Sequence, residues 1–94
     1  MELQTIYDTR QSFYGKARIE TSKNDIEITK DLISYNTRVA SIIYNLESKK
    51  IKFLYNGYYS QTTSRHQKEF FLQNGLNDAE FKELKKKGEI IKDL

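Results

Sequence analysis

The residues best placed to do chemistry lie in one run, Tyr58-Tyr59-Ser60-Gln61-Thr62-Thr63-Ser64-Arg65-His66. Hydroxyls, a guanidinium and the chain's single imidazole converge there, just where the hydrophobic period changes from two to near four. A helix start presents free backbone N–H groups and the positive end of its dipole, which suits a phosphate or other anion. On that reading Thr62, Thr63, Ser64 and Arg65 hold the anion. The same hydroxyls also serve simple N-capping, and Ser64 with Gln67 has the spacing of a capping box. His66 reads either as a base or as a packed helix residue. No nucleophile and carboxylate at a recognisable spacing complete a Ser-His-Asp set around it.

The remaining chemistry is bounded by absences. The 94 residues include one His and no Cys, which excludes a Cys/His zinc site, thiol catalysis and a disulfide frame. Gly15, Gly57, Gly75 and Gly88 lie too far apart to form a phosphate-cradling loop. Asp25 and Glu27 share a strand face, but nothing beside them suggests a metal cage. These residues point to a non-enzymatic protein without metal or cofactor.

Charge and aromatic content suggest binding instead. The net charge is +3, and it is uneven: residues 1–47 carry a net −1 and residues 48–94 a net +4. Lys49, Lys50, Lys52, Arg65, Lys68 and the run Lys85-Lys86-Lys87 supply the excess, a candidate surface for phosphate, nucleic acid or an acidic protein. Glu69, Glu80, Glu83 and Glu89 dilute it. Seven tyrosines are many for this length. Tyr35, Tyr44, Tyr55, Tyr58 and Tyr59 fall on or beside expected strands, where they can stack bases, anchor a protein interface or supply core bulk. The candidate partner- or phosphate-binding set is therefore Tyr58, Tyr59, Thr62, Thr63, Arg65, His66, Lys49, Lys50, Lys52 and Lys68.

Elements able to position these residues are legible in the pattern. Gly15 introduces a strand through Lys16–Thr21, with Ala17 and Ile19 on one side and Arg18 and Glu20 on the other. Ser22–Asp25 reads as a turn. Ile26, Ile28 and Leu32 keep one parity in a second strand over 26–34, bent near Lys30-Asp31. Tyr35-Asn36-Thr37 is a tight turn. Val39–Tyr44 and Ile51–Tyr55 are further strands, separated by a turn at Glu47–Lys49. Asn56-Gly57 carries a reverse-turn signal.

A first helix runs through His66, Phe70, Phe71 and Leu72 to the cap pair Asn74-Gly75. A second opens on Asn77 with Glu80, buries Phe81 and Leu84, and ends in lysines before Gly88. Ile90, Ile91 and Leu94 dock back as a tail. Leu3, Ile6 and Tyr7 suggest a short helical turn or ordered arm at the start. The expected fold is a single α+β domain over 1–94: an antiparallel β-meander of three to five strands, then two short C-terminal helices packed on one face. Met1 to Tyr14 has no apolar core of leader length, and no stretch reaches a membrane span. A soluble protein of the bacterial cytoplasm, with no membrane partner, is expected.

Three segments also carry a resemblance. Tyr7–Ala17 fits a "YDxRxSFYGKA" pattern, Ser34–Ala40 fits "SYxTxVA", and Tyr59–Phe70 fits "YSxTTxRHxxEF". Over about residues 7–75 the chain resembles a family of small uncharacterised proteins carried by phages and mobile elements of Gram-positive bacteria. Gln67 and Lys68 depart from the more apolar helix start expected there. No catalytic or binding residues come with the resemblance. It implies an accessory role such as host takeover, gene regulation or inhibition of a bacterial defence. Its sharpest form is an anti-CRISPR that binds Cas9 or another Cas nuclease complex. The alternative is a small basic nucleic-acid-binding or regulatory protein.

Overall fold

Alternating side chains and turn residues build the sheet from the first strand onwards. In the computed structural model, which describes residues 2–3 and 16–94, β1 spans Ala17–Lys23, β2 Glu27–Ser34, β3 Thr37–Asn45 and β4 Lys50–Tyr55. Each pairs antiparallel with the next. Two helices follow, α1 over Gln61–Gln73 and α2 over Asp78–Lys87, and then β5 over Glu89–Asp93. The strand order is β1-β2-β3-β4-β5 in one five-stranded sheet, with both helices packed on one of its faces.

The two-residue period decides which face meets the helices. Ile19, Leu32, Ala40, Ile42, Ile51 and Phe53 are buried, and from the helical side Phe70, Phe71, Phe81 and Leu84 meet them. Phe71 is the hub, with ring centroids 6.2 Å from Phe53, 5.5 Å from Phe70 and 6.0 Å from Phe81. Each fully buried ring of this kind contributes about 1.5–3 kcal/mol of transfer free energy.

Most expected elements form, and the departures have local causes. Ile90, Ile91 and Leu94 do not dock as a tail; residues 89–93 add a fifth strand to the free edge of β4. Asn56-Gly57 makes no hairpin. Asn56 N–H donates to Val39 O at 3.1 Å and prolongs the strand pairing before the chain turns into α1. The bend in β2 appears as a register slip between Leu32 and Ile33, with Val39 the extra residue on β3.

The cap of α1 is Ser60, not Ser64. Ser60 is extended (φ −164°) and its Oγ accepts the Thr63 N–H at 3.1 Å. Gln67 is meanwhile drawn inward, donating from Nε2 to Val39 O and Gly57 O. The second capping box forms as expected: Asn77 Oδ1 accepts Glu80 N–H, Glu80 Oε1 accepts Asn77 N–H, and Gly88 closes α2 in the left-handed region. Of the opening stretch, Glu2 bridges Arg18 and Leu3 N–H donates to Ala17 O at 3.0 Å, with Leu3 buried. The helical turn or arm expected from Ile6 and Tyr7, and the strand start at Gly15, lie outside the described residues.

Candidate functional site

Ser34 ends β2, on the face that looks towards the helices, one residue before the chain reverses. Tyr35 (φ 49°) and Asn36 (φ 70°) form a two-residue hairpin loop between the paired Ser34 and Thr37. Positive φ at both central residues is the mark of a type I′ turn. From the other side, Thr63, His66 and Gln67 fall at helical spacing on the buried face of α1.

The two elements meet through polar atoms. Ser34 Oγ lies 2.8 Å from His66 Nδ1 and 3.0 Å from Thr63 Oγ1. Exposures of 2%, 0% and 3% for Ser34, His66 and Thr63 show the cluster to be closed to solvent. Two hydroxyls and an imidazole suit such a place, because each can give or accept as its neighbour requires. A Ser–His contact is the contact of a nucleophile with its base. Here no substrate reaches it. Its physical role is to lock the hairpin turn onto α1, helped by Gln67, which ties α1 to β3 and to the 56–60 connection.

The same lock displays aromatic groups outward. The Tyr35 ring sits 6.0 Å from the His66 ring, centroid to centroid, at a 36° tilt. Asn56, held by Arg38 O and Val39 O, begins the connection that carries Tyr58 and Tyr59 past this end of the sheet. Tyr35, Tyr58 and Tyr59 are 52%, 62% and 48% exposed. Tyr44 and Tyr55 behave differently. Both are half-buried against the core, and burial pushes both phenols above their ordinary pKa, with Tyr58 adding to the shift at Tyr55.

The ten candidate residues from the sequence do not form one site. Tyr58, Tyr59, Thr62, Thr63, Arg65 and His66 gather where α1 begins, Thr63 and His66 turned inward. Lys49 lies in the β3–β4 turn, at the other end of the sheet. Lys50 pairs with Asp93, Lys52 with Glu89 at 4.0 Å, and Lys68 with Asp78 at 3.2 Å. Of the other lysines, Lys87 pairs with Glu83, Lys92 with Glu80, and Lys85 lies 4.9 Å from the Phe81 ring centre. Arg38 and Arg65 stand in no ion pair among the described residues. Ser34, Tyr35, Arg38 and Gln67 are not in that candidate set, although Tyr35 stands among the tyrosines noted for binding and Gln67 reads in the sequence as a capping partner of Ser64.

Among the described residues no three His, Asp or Glu side chains group as a metal site, and no helix is long and apolar enough to cross a membrane.

A family model matches residues 1–88, a span that takes in both the hairpin turn and the helix start that meet at Ser34 and His66. The chain belongs to the family of unknown function DUF8033. No curated protein and no solved structure matches it. For this DUF8033 chain the function must therefore be read from its own geometry.

Proposed function

We propose that this protein is a non-enzymatic binding module that seats on a bacterial protein through the end of the sheet bearing Tyr35, Tyr58 and Tyr59. One observation carries the reading: three tyrosines stand about half exposed or more at one end of the sheet. Tyrosine gives large contact area for little conformational entropy, and exposed aromatic clusters rimmed by polar residues mark interaction surfaces. The one Ser–His contact among the described residues is sealed, which removes the most direct route to hydrolytic chemistry.

The finer reading is a phage or mobile-element accessory protein that inhibits a bacterial defence protein in the host cytoplasm, most sharply an anti-CRISPR acting on Cas9. It rests on the three segments Tyr7–Ala17, Ser34–Ala40 and Tyr59–Phe70. With a net charge of +3 such an inhibitor is no mimic of DNA. The basic nucleic-acid-binding alternative is weakened by the ion pairs of Lys50, Lys52, Lys68 and Lys87, which occupy four of the lysines it would use.

Cas9 cleavage of a guide-matched DNA in the presence of excess protein tests the sharp form. Protection by the wild type, lost in Tyr58→Ser/Tyr59→Ser, is expected; undiminished cleavage with the wild type removes Cas9 as the target. Failure to retain any protein from a bacterial lysate at physiological salt removes the wider reading.

A further inference from the structure

Five lysines are neutralised within the fold, and two arginines on the segments next to the exposed tyrosines are not. Lys50, Lys52, Lys68, Lys87 and Lys92 each have a carboxylate partner. Arg18 has Glu20 at 3.6 Å and also reaches Asn36 Oδ1 at 3.2 Å. Arg38 and Arg65 have no carboxylate within ion-pair distance among the described residues. Arg38 is exposed on β3, directly after the Tyr35–Thr37 turn, and its carbonyl holds Asn56 at the start of the connection to Tyr58. Arg65 precedes His66, against which the Tyr35 ring lies. Arg38 on β3 and Arg65 on α1 therefore sit in the two segments that adjoin the exposed tyrosines.

Resting on the docking surface proposed above, we infer that its partner presents an acidic protein face, whose carboxylates pair with Arg38 and Arg65 around a contact made by Tyr35, Tyr58 and Tyr59. Tyr and Arg together are the composition of interface centres, and the guanidinium fork matches a carboxylate in bidentate fashion. A nucleic-acid strand fits less well. It asks for a cationic groove that follows many phosphates, alongside aromatic rings set out in register for successive bases. Two guanidiniums at one end of the molecule offer no such path.

The test follows backbone amide resonances of the isotope-labelled protein during titration with poly-L-glutamate and, separately, with an oligothymidylate. Poly-L-glutamate is expected to shift the amides at Tyr35, Arg38, Tyr58, Tyr59 and Arg65 and to leave those at Lys50, Lys52, Lys68 and Lys87 in place. Arg38→Gln/Arg65→Gln should weaken that binding about tenfold, from the loss of two exposed charge pairs, whereas Lys50→Gln/Lys52→Gln should not change it. Tighter binding of the oligothymidylate at the tyrosine end overturns the inference in favour of nucleic acid. Poly-L-glutamate shifts that are absent, or that spread over the lysines, also overturn it. The docking surface itself stands or falls separately, on whether Tyr58→Ser/Tyr59→Ser abolishes capture of a cellular protein, whatever Arg38→Gln/Arg65→Gln does to it.

Discussion

Ser34 Oγ and His66 Nδ1 lie 2.8 Å apart in a fully enclosed position, although 32 residues separate them in the chain. This contact joins a hairpin turn to a helix and, with Thr63, makes a buried polar tie. Removing one member takes a hydrogen bond from a neighbour in a place closed to solvent. Ser34→Ala is expected to cost about 1–3 kcal/mol, lowering the melting temperature by about 4–8 °C per kcal/mol in a domain of this size. Thr63→Val should cost a similar amount. The double variant should cost less than the two effects added, because both break the same Ser34–Thr63 bond. Urea denaturation of the three variants measures it; strict additivity would show that the tie is not one unit.

The aromatic centre of the core gives the largest expected single effect. Phe71 is fully buried and touches rings from β4, its own helix and α2. Phe71→Ala should destabilise the protein by about 3–5 kcal/mol through lost transfer energy and the cavity left behind. Tyr58→Ser, at an exposed position, should stay within about 0.5 kcal/mol of wild type. The same denaturation experiment distinguishes them.

Backbone strain predicts opposite signs at two turns. At Gly88 (φ 82°) an added Cβ meets nothing within 4 Å, so Gly88→Ala isolates the conformational cost. That cost is about 1–2 kcal/mol. Lys49 holds φ 56° with a full side chain in an exposed turn, and Lys49→Gly should therefore raise stability, by up to about 1 kcal/mol. It should also leave partner binding unchanged, because Lys49 lies far from the tyrosine end.

Glu80 predicts a pH dependence. Its carboxyl takes a hydrogen bond from Lys92 Nζ, 2.9 Å away, and another from the Asn77 N–H, and these hold its pKa below the ordinary 4.5. A pKa lower in the folded state than in the unfolded chain stabilises the fold above the unfolded value. That contribution fades as the pH falls through the folded one. Glu80→Ala should cost about 1 kcal/mol at neutral pH, as for loss of a cap. The difference from wild type should shrink steadily as the pH drops below about 4. A gap that stays constant down to strongly acidic pH would contradict the ionic role.

How far the chain could be read in advance depended on how local the determining forces were. Ala17, Ile19, Leu32, Ile42 and Phe53 announce the inner face of β1 to β4 by alternation alone, and Asn77, Glu80 and Gly88 fix both ends of α2 through contacts a few residues long. The fifth strand was missed because Ile90 and Ile91 acquire their faces only when β5 returns across two helices to β4. The start of α1 was misplaced because Ser60, Thr62, Thr63 and Ser64 can all cap. The choice among them follows from tertiary bonds of Thr63 to Ser34 and of Gln67 to Val39 and Gly57.

Electrostatics behaved in the same way at the candidate site. The C-terminal lysines dominate the sequence count, yet Asp78, Glu83, Glu89 and Asp93 arrive beside them only in the fold. Arg38, in the half of the chain with net negative charge, drew no notice. Among the described residues it emerges as one of two guanidiniums without an ion pair only when the pairs are laid out in space.

The central claim, docking through the tyrosine end, is tested most directly by affinity capture at physiological salt. The bait is the wild type or the Tyr35→Ser/Tyr58→Ser/Tyr59→Ser variant, with equal folding first verified by circular dichroism. Docking through these residues requires a bacterial protein that the wild type retains and the triple variant loses, while Lys50→Gln/Lys52→Gln keeps it. Equal retention by wild type and triple variant, or loss with the lysine variant alone, contradicts it.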